Sequence, residues 1–320
     1  MSDASPSRSA KSRWQHLASP AAFMRLAVLI AICPILGLFG KQHWFLDLFN
    51  HLQAQYFAAL LIISVVLGIW RKPKHAAISV AALLIPTARL APLYQSTNPG
   101  PQGPELRVAS YNVLTSNQRY GDAVRWTLET DPDFIYFTEC HRKWIRELDA
   151  LANAFPYATE MSYSSNFGFA FRSKHPIESV KVHPTGDLEL PLLEVRIRTP
   201  HGLVTVFGCH PVPPMNDFWA SERDHYLAEL QRLSSAAEGH CVILGDLNAT
   251  RWSHHMKPIL TSFSDTQEGH GYSATWMRKN WLVTIPIDHI LTRGFQGTKT
   301  RATGPDLGSD HRPVVAELVW

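Results

Sequence analysis

Cysteine is scarce: the 320 residues hold four. None stands at a Cys-x-x-Cys or Cys/His spacing, so a zinc finger or ribbon is excluded. Cys140, Cys209 and Cys241 fall at or beside apolar runs that read as strands, and all three read as buried thiols. A glycine-rich phosphate loop and a Gly-x-Ser-x-Gly elbow are also missing, which removes the P-loop and serine-hydrolase readings. The sequence has no internal repeat and no low-complexity run. Basic charge is lacking where a nucleic-acid duplex would need it. Residues 1–104 carry nine Lys/Arg against two Asp/Glu, a charge of +7, and residues 105–320 carry 21 against 25, a charge of −4. A mildly acidic second part weighs against a protein that grips duplex DNA through many phosphates.

Long apolar runs are present, and they are confined to the first part. AAFMRLAVLIAICPILGLFG (21–40), AQYFAALLIISVVLGIW (54–70) and AAISVAALLIPTARLAPLY (76–94) each approach the roughly 17–25 residues that cross a hydrocarbon core as a helix. Pro34, Pro86, Arg25 and Arg89 interrupt the first and third; proline is tolerated in such helices, and an arginine near an end can reach the interface. Arg8, Lys11 and Arg13 precede the first run, and Arg71, Lys72 and Lys74 separate the second from the third. Positive charge is retained on the cytoplasmic side, so three spans would leave everything after Tyr94 outside the cytoplasm. The expected organisation is a cytoplasmic tail with three transmembrane helices over 1–94, a Pro/Gly-rich linker over 95–105, and a catalytic domain over 106–320. The expected location is a multi-pass membrane protein with an extracytoplasmic catalytic domain and the lipid bilayer as a partner; no protein partner is predicted.

Within 106–320 short apolar strands alternate with amphipathic helices. LRVASYNV, DFIYFTEC, FGFAFRS, HPIESVKVH, LPLLEVRIRT, GLVTVFGCH, CVILGD, IDHILT and RPVVAELV read as strands. Helices are expected over 120–130, 142–155 and 217–237, with a short one over 253–261. Helices flanking a run of consecutive strands predict a layered α+β or α/β domain with two packed sheets.

Polar residues recur where these strands end. Asn112, Glu139 and His210 close three of them, Asp246 and Asn248 a fourth, Asp288 opens IDHIL, and Asp310 with His311 precedes the last. A carboxylate half-buried without a partner costs several kcal/mol, so repeated placement at strand termini points to convergence on a cation or a reacting group. Glu139, Asp310 and the Asn112 amide are hard oxygen donors suited to Mg²⁺ or Mn²⁺. Asp246 and Asn248, two apart on a turn, suit the orientation of an attacking water. His311, steadied by Asp288, suits either a base or a donor to phosphate, and His210 suits stabilisation of transition-state charge. Together they describe metal-assisted phosphoester hydrolysis.

In order along the chain, RVASYNV, DFIYFTEC, GCHP, VILGDLNA, IPIDHIL and GSDHRPVVAEL resemble the motifs of the endonuclease/exonuclease/phosphatase superfamily, which shares the fold of pancreatic deoxyribonuclease. That resemblance implies a four-layered α-β-β-α sandwich and Mg²⁺ dependence. It also implies Glu139 as principal metal ligand, Asp246 and Asn248 at the nucleophile, and an Asp288–His311 pair at the scissile phosphate. The family pattern has Gln before the metal glutamate, whereas this chain has Thr138. Substrates implied are a lipid headgroup, a small phosphoester or nucleic acid; the membrane runs and the acidic second part favour the first two. The rival readings are an extracytoplasmic nuclease and a catalytically silent membrane scaffold. His289 reads as structural and His254 and His255 as a solvated face; Thr275-Trp276 in GYSATWMR resembles a substrate-side loop of the family, against which stands the reading of a lone Trp as core.

Overall fold

A computed structural model describes residues 20–95, 100, 102–163, 166–277 and 283–320. The chain divides into two compact units, Met1–Ala91 and Pro92–Trp320. Arg8, Lys11, Arg13 and residues 96–99 and 101 of the expected linker lie outside the described residues.

The first unit is helical: Pro20–Gly37, Trp44–Asp47, Gln53–Ile69, Pro73–Ala82 and Leu84–Leu90. Three spans were expected. Among the described residues one helix, Pro73–Tyr94, is long and apolar enough to cross a membrane. A second candidate exists only if Trp44–Asn50 and Gln53–Ile69, bent by 59° at their junction, count as one span, and Ala21–Gly37 is shorter. The first run stops at Gly37 because the next residues turn. There Asn50, fully buried, donates from Nδ2 to Gly37 O at 2.8 Å and to Asp47 Oδ1 at 2.8 Å, and Arg89 Nη1 donates to Asn50 Oδ1 at 2.5 Å. A polar knot of this kind satisfies buried groups that an apolar medium would leave unpaired.

The second unit runs β1 (Glu105–Asn112), helix Tyr120–Thr130, β2 (Phe134–Thr138), helix Arg142–Leu148, β3 (Tyr157–Met161), β4 (Phe169–Ser173), β5 (Ile177–Thr185), β6 (Leu190–Thr199) and β7 (Gly202–Cys209). Helix Asp217–Ala236, β8 (His240–Asp246), helix Lys257–Leu260, β9 (Ser264–Asp265), β10 (Trp276–Met277), β11 (Thr284–Ile285), β12 (Asp288–Arg293), β13 (Gly297–Thr303) and β14 (Val314–Val319) complete it. Two six-stranded sheets form, in the orders β13-β14-β1-β2-β4-β3 and β5-β6-β7-β8-β12-β9.

Strands whose two faces are both apolar lie at the centre. β2 is buried at every position, with Phe134 and Tyr136 in the core between the sheets and Ile135 and Phe137 toward the helices. The inter-sheet core takes Val108, Phe171, Val195, Val206, Leu244 and Leu318. Helices Tyr120–Thr130 and Arg142–Leu148 cover the outer face of one sheet through Trp126, Trp144 and Leu148. Helix Asp217–Ala236 covers the other through Tyr226, Leu227 and Leu230. The result is helix, sheet, sheet, helix, held by apolar burial on three interfaces.

Several elements differ from the sequence expectation, among them the short helix expected over 253–261, which is confined to Lys257–Leu260. The helix expected over 142–155 ends at Leu148 and closes with a 3₁₀ turn, Asp149–Leu151. Strands β3 and β13, not assigned in the sequence, are edge strands of exposed and half-buried residues that show no apolar alternation. Edge strands carry few buried side chains, so periodicity cannot reveal them.

Candidate active site

Sheet register gathers six of the expected residues at strand ends, three in each sheet. β1 and β2 are parallel with Asn112 beside Thr138, so Glu139 emerges next to Asn112. β7 and β8 are parallel with Cys209 beside Gly245, which sets His210 next to Asp246. β12 is antiparallel to β8 with Asp288 directly opposite Asp246. His311 precedes β14, which pairs antiparallel with β1, and returns to the same end.

The side chains then meet. Asn112 Nδ2 donates to Glu139 Oε1 at 3.0 Å and to Asp246 Oδ2 at 3.1 Å, and lies 3.5 Å from His311 Nε2. The Asn112 carbonyl oxygen points away, accepting Leu114 N–H at 3.1 Å, so the amide nitrogen faces the carboxylates. His311 Nδ1 is 2.8 Å from Asp288 Oδ2, and its Nε2 is 3.6 Å from Asp246 Oδ2. His210 Nε2 stands 3.7 Å from Asp246 Oδ2 and 3.9 Å from Glu139 Oε1. Asn248 closes a turn on Asp246, its N–H donating to Oδ1 at 2.9 Å while its side-chain amide donates to Pro211 O at 2.9 Å. Asn112, Glu139, His210, Asp246, Asp288 and His311 are all buried, and Asn248 is half-buried.

Asp310 is placed differently. It is exposed, and its Oδ2 accepts the Trp276 indole N–H at 3.0 Å. Trp276 is therefore on the rim of the site and not in the core, and it forms an isolated bridge with His311. His255 is half-buried, with Nε2 3.2 Å from Asp224 Oδ2, and does not sit on a solvated face. His289 is buried with Nε2 2.8 Å from Ala249 O, a structural placement.

Burial of carboxylates and imidazoles at this density shifts their ionisation. Burial raises the Asp246 carboxyl to about 6, with Asp288 adding to the rise and His311 and His210 opposing it. Burial also acts against charge on Asp288, but the adjacent His311 outweighs it and holds that carboxyl below its ordinary range. Burial disfavours the His311 cation, yet Asp288 and Asp246 override it and lift the imidazole to about 10. His311 therefore lies between two carboxylates that favour its protonated form.

The backbone is also constrained here. Glu139, Leu114 and Asn248 adopt left-handed φ of 62°, 59° and 47°. For a residue with a side chain this costs on the order of 1 kcal/mol or more, and such strain concentrates at sites where geometry is over-determined. Gly245, just before Asp246, has φ 134°, and a Cβ there would lie 2.0 Å from Cys209 O.

Two hydroxyls orient the cluster, a role the sequence did not assign to either. Thr275 Oγ1, buried, accepts Asp288 N–H at 3.0 Å and Ile287 N–H at 3.1 Å. Ser309 donates to Asn112 O at 2.8 Å and accepts His311 N–H at 3.0 Å. The Ser-Asp-His order hints at the second, since serine readily closes a turn on the residue two ahead; Thr275 lies in the GYSATWMR segment that resembles a substrate-side loop, but nothing local marks it as a partner of Asp288.

The sequence model of the Endonuclease/Exonuclease/phosphatase family matches residues 109–311, a span that holds every one of these side chains. The chain belongs to this family. No curated protein matches it. Among solved structures it resembles D. rerio TDP2 complexed with a single-strand DNA product, at 15% identity over 68% of this chain and 99% of that one, TM-score 0.58. It resembles the endonuclease/exonuclease/phosphatase from Beutenbergia cavernae at 18% identity over 67% of this chain and 71% of that one, TM-score 0.57. Sphingomyelinase C from Streptomyces griseocarneus matches at 16% identity over 68% of this chain and all of that one, 100%, TM-score 0.51. At such identities the likeness is one of fold.

Proposed function

We propose that this family member is a membrane-anchored phosphoester hydrolase dependent on Mg²⁺ or Mn²⁺. The observation that carries the reading is the meeting of Glu139, Asp246 and His311 around the single Asn112 amide. The donor set fits a hard divalent cation. Three buried carboxylates crowd one pocket end, and Asp288 Oδ1 is buried with no hydrogen-bond partner. Asp246, Asp288 and His311 also offer ligand atoms all within 4.8 Å of one another. Among these donors the buried Glu139 carboxylate is the residue assigned to the ion, with the exposed Asp310 proposed as a second ligand. When bound, the ion supplies Lewis-acid polarisation of a phosphoryl oxygen.

The chain's own groups account for the rest. Asp246 accepts a proton from a water that Asn248 helps to orient. His311, held by Asp288, and His210 donate to the non-bridging oxygens as negative charge grows on phosphorus. Asn112 is a donor that fixes Glu139 and Asp246, a role its outward-facing carbonyl favours over ligation. His210 Nδ1 is buried without a hydrogen-bond partner, so no neighbour fixes which ring nitrogen carries the proton.

Pro73–Tyr94 supports anchoring in a bilayer, and the charge of −4 over residues 105–320 favours a lipid headgroup or small phosphoester over duplex DNA. Arg71, Lys72 and Lys74 stand just before Pro73–Tyr94, and because positive charge is retained on the cytoplasmic side they favour an extracytoplasmic catalytic unit. The test is the full chain, purified in detergent, assayed with Mg²⁺ against phospholipid vesicles, p-nitrophenyl phosphodiesters and monoesters, plasmid DNA and single-stranded DNA. Headgroup or nitrophenol release with intact DNA is expected. Degradation of DNA alone would replace this reading with a nuclease, and silence on every substrate would favour a scaffold.

A further inference from the structure

The turn that leaves β1, Val113 to Asn117, is built more tightly than a connection to a helix requires. Leu114 is held at φ 59°, a conformation leucine rarely adopts, and its N–H closes on Asn112 Oδ1 at 3.1 Å. Asn117 N–H bonds Leu114 O at 2.8 Å, and the Asn117 side chain ties the turn to Val113 O and to Leu307 O, each at 3.0 Å. The consequence of this bracing falls on one residue between. Thr115 N–H donates to Glu139 Oε2 at 3.1 Å, and Thr115 Oγ1 lies 3.3 Å from the same oxygen and 3.2 Å from Glu139 O.

Each oxygen of the Glu139 carboxylate therefore has its own donor on the strand-end turn: the Asn112 amide on Oε1 and Thr115 on Oε2. Two donors on opposite oxygens fix the plane of a carboxylate, which one donor leaves free to rotate. The hydroxyl has a single hydrogen, so it serves either the Glu139 carboxylate or the Glu139 carbonyl; both choices hold the residue that sits at φ 62°. We propose that Thr115 is a positioning residue for Glu139, setting the carboxylate for a divalent cation through contacts that do not themselves touch the ion or the substrate. The proposal rests on the reading of Glu139 as an ion ligand.

The sequence shows why the role is invisible without a fold. Thr115 and Glu139 are 24 residues apart, and a threonine in LTSN reads as an ordinary turn residue. Partners that hold a metal ligand typically change affinity by about 10–100-fold when removed. Thr115→Val keeps shape and N–H and loses the hydroxyl, so the lower end applies.

The experiment is Mn²⁺ binding to the full chain, read by the electron paramagnetic resonance signal of free Mn²⁺, for the native protein, Thr115→Val, Thr115→Ser and Glu139→Gln, with thermal unfolding of each in the absence of metal. The expected result is affinity about 10-fold weaker for Thr115→Val, restored by Thr115→Ser, and lost in Glu139→Gln, with unfolding midpoints of the two Thr115 variants close to native. Native-like Mn²⁺ affinity in Thr115→Val beside loss in Glu139→Gln would overturn the positioning role and leave the assignment of Glu139 standing. Weak binding in Thr115→Val that Thr115→Ser does not restore would also overturn it. Native-like binding in Glu139→Gln would overturn both readings.

Discussion

Asp246→Asn lowers kcat/KM for a phosphodiester by ~10³-fold or more while leaving the fold intact. Removing a general base costs about 10²–10⁴-fold, and here the same substitution also removes the charge that His210 and His311 face at 3.7 and 3.6 Å. The amide retains the shape of the carboxylate, and an oxygen placed as Oδ1 still accepts the Asn248 N–H. Its nitrogen then meets the Asn112 amide and the His311 ring, donor against donor. For stability two effects oppose: burial raises the Asp246 ionisation to about 6, so removing the buried charge relieves the fold, while the donor clash strains it, and the thermal midpoint stays close to native. Steady-state kinetics beside a thermal melt checks both halves. Activity within about tenfold of native in a folded variant would remove Asp246 from the reaction.

Gly245→Ala should be the most damaging small substitution in the second unit. The new Cβ would sit 2.0 Å from the Cys209 carbonyl oxygen and 3.1 Å from Cys209 N, both backbone atoms of the paired strand β7, which cannot yield as a flexible side chain would. The residue also holds φ 134°, a conformation that side chains avoid. Overpacking costs about 1–3 kcal/mol and a forced backbone about as much again, against a typical total stability of roughly 5–15 kcal/mol. The damage is directed at the site, because β7 delivers His210 and β8 delivers Asp246 from this very register pair. Urea unfolding of the purified chain should show a drop of about 2–6 kcal/mol or no cooperative transition. A change under about 0.5 kcal/mol would mean that β7 and β8 do not pair in this register.

Much of this arrangement was legible in the sequence because its cause is local. Strands such as VILGD and DFIYFT announce themselves by unbroken apolar runs, and a charged residue at the end of such a run stands out. Two parallel pairs, β1 with β2 and β7 with β8, then carry Asn112, Glu139, His210 and Asp246 to one end of the sandwich. What was not legible depends on chain segments far apart. Asp310 and His311 are neighbours in sequence, yet one is exposed against Trp276 and the other buried against Asp288. Thr115, Thr275 and Ser309 act by single hydroxyls in loops, where neither periodicity nor charge distinguishes them from turn residues. In the first unit, length and hydropathy outlined three runs, but the turn after Gly37 and the 59° bend before Gln53 follow from the tertiary contacts of Asn50, which composition does not encode.

The central claim is that the carboxylates gathered at the strand ends bind a divalent ion. The most direct measurement is anomalous diffraction from crystals of the protein soaked in Mn²⁺. The account predicts one strong peak within roughly 2.0–2.6 Å of a Glu139 carboxylate oxygen, beside Asp246 and His311. A map in which Mn²⁺ orders only on exposed carboxylates elsewhere, with the Glu139 pocket empty, would contradict it.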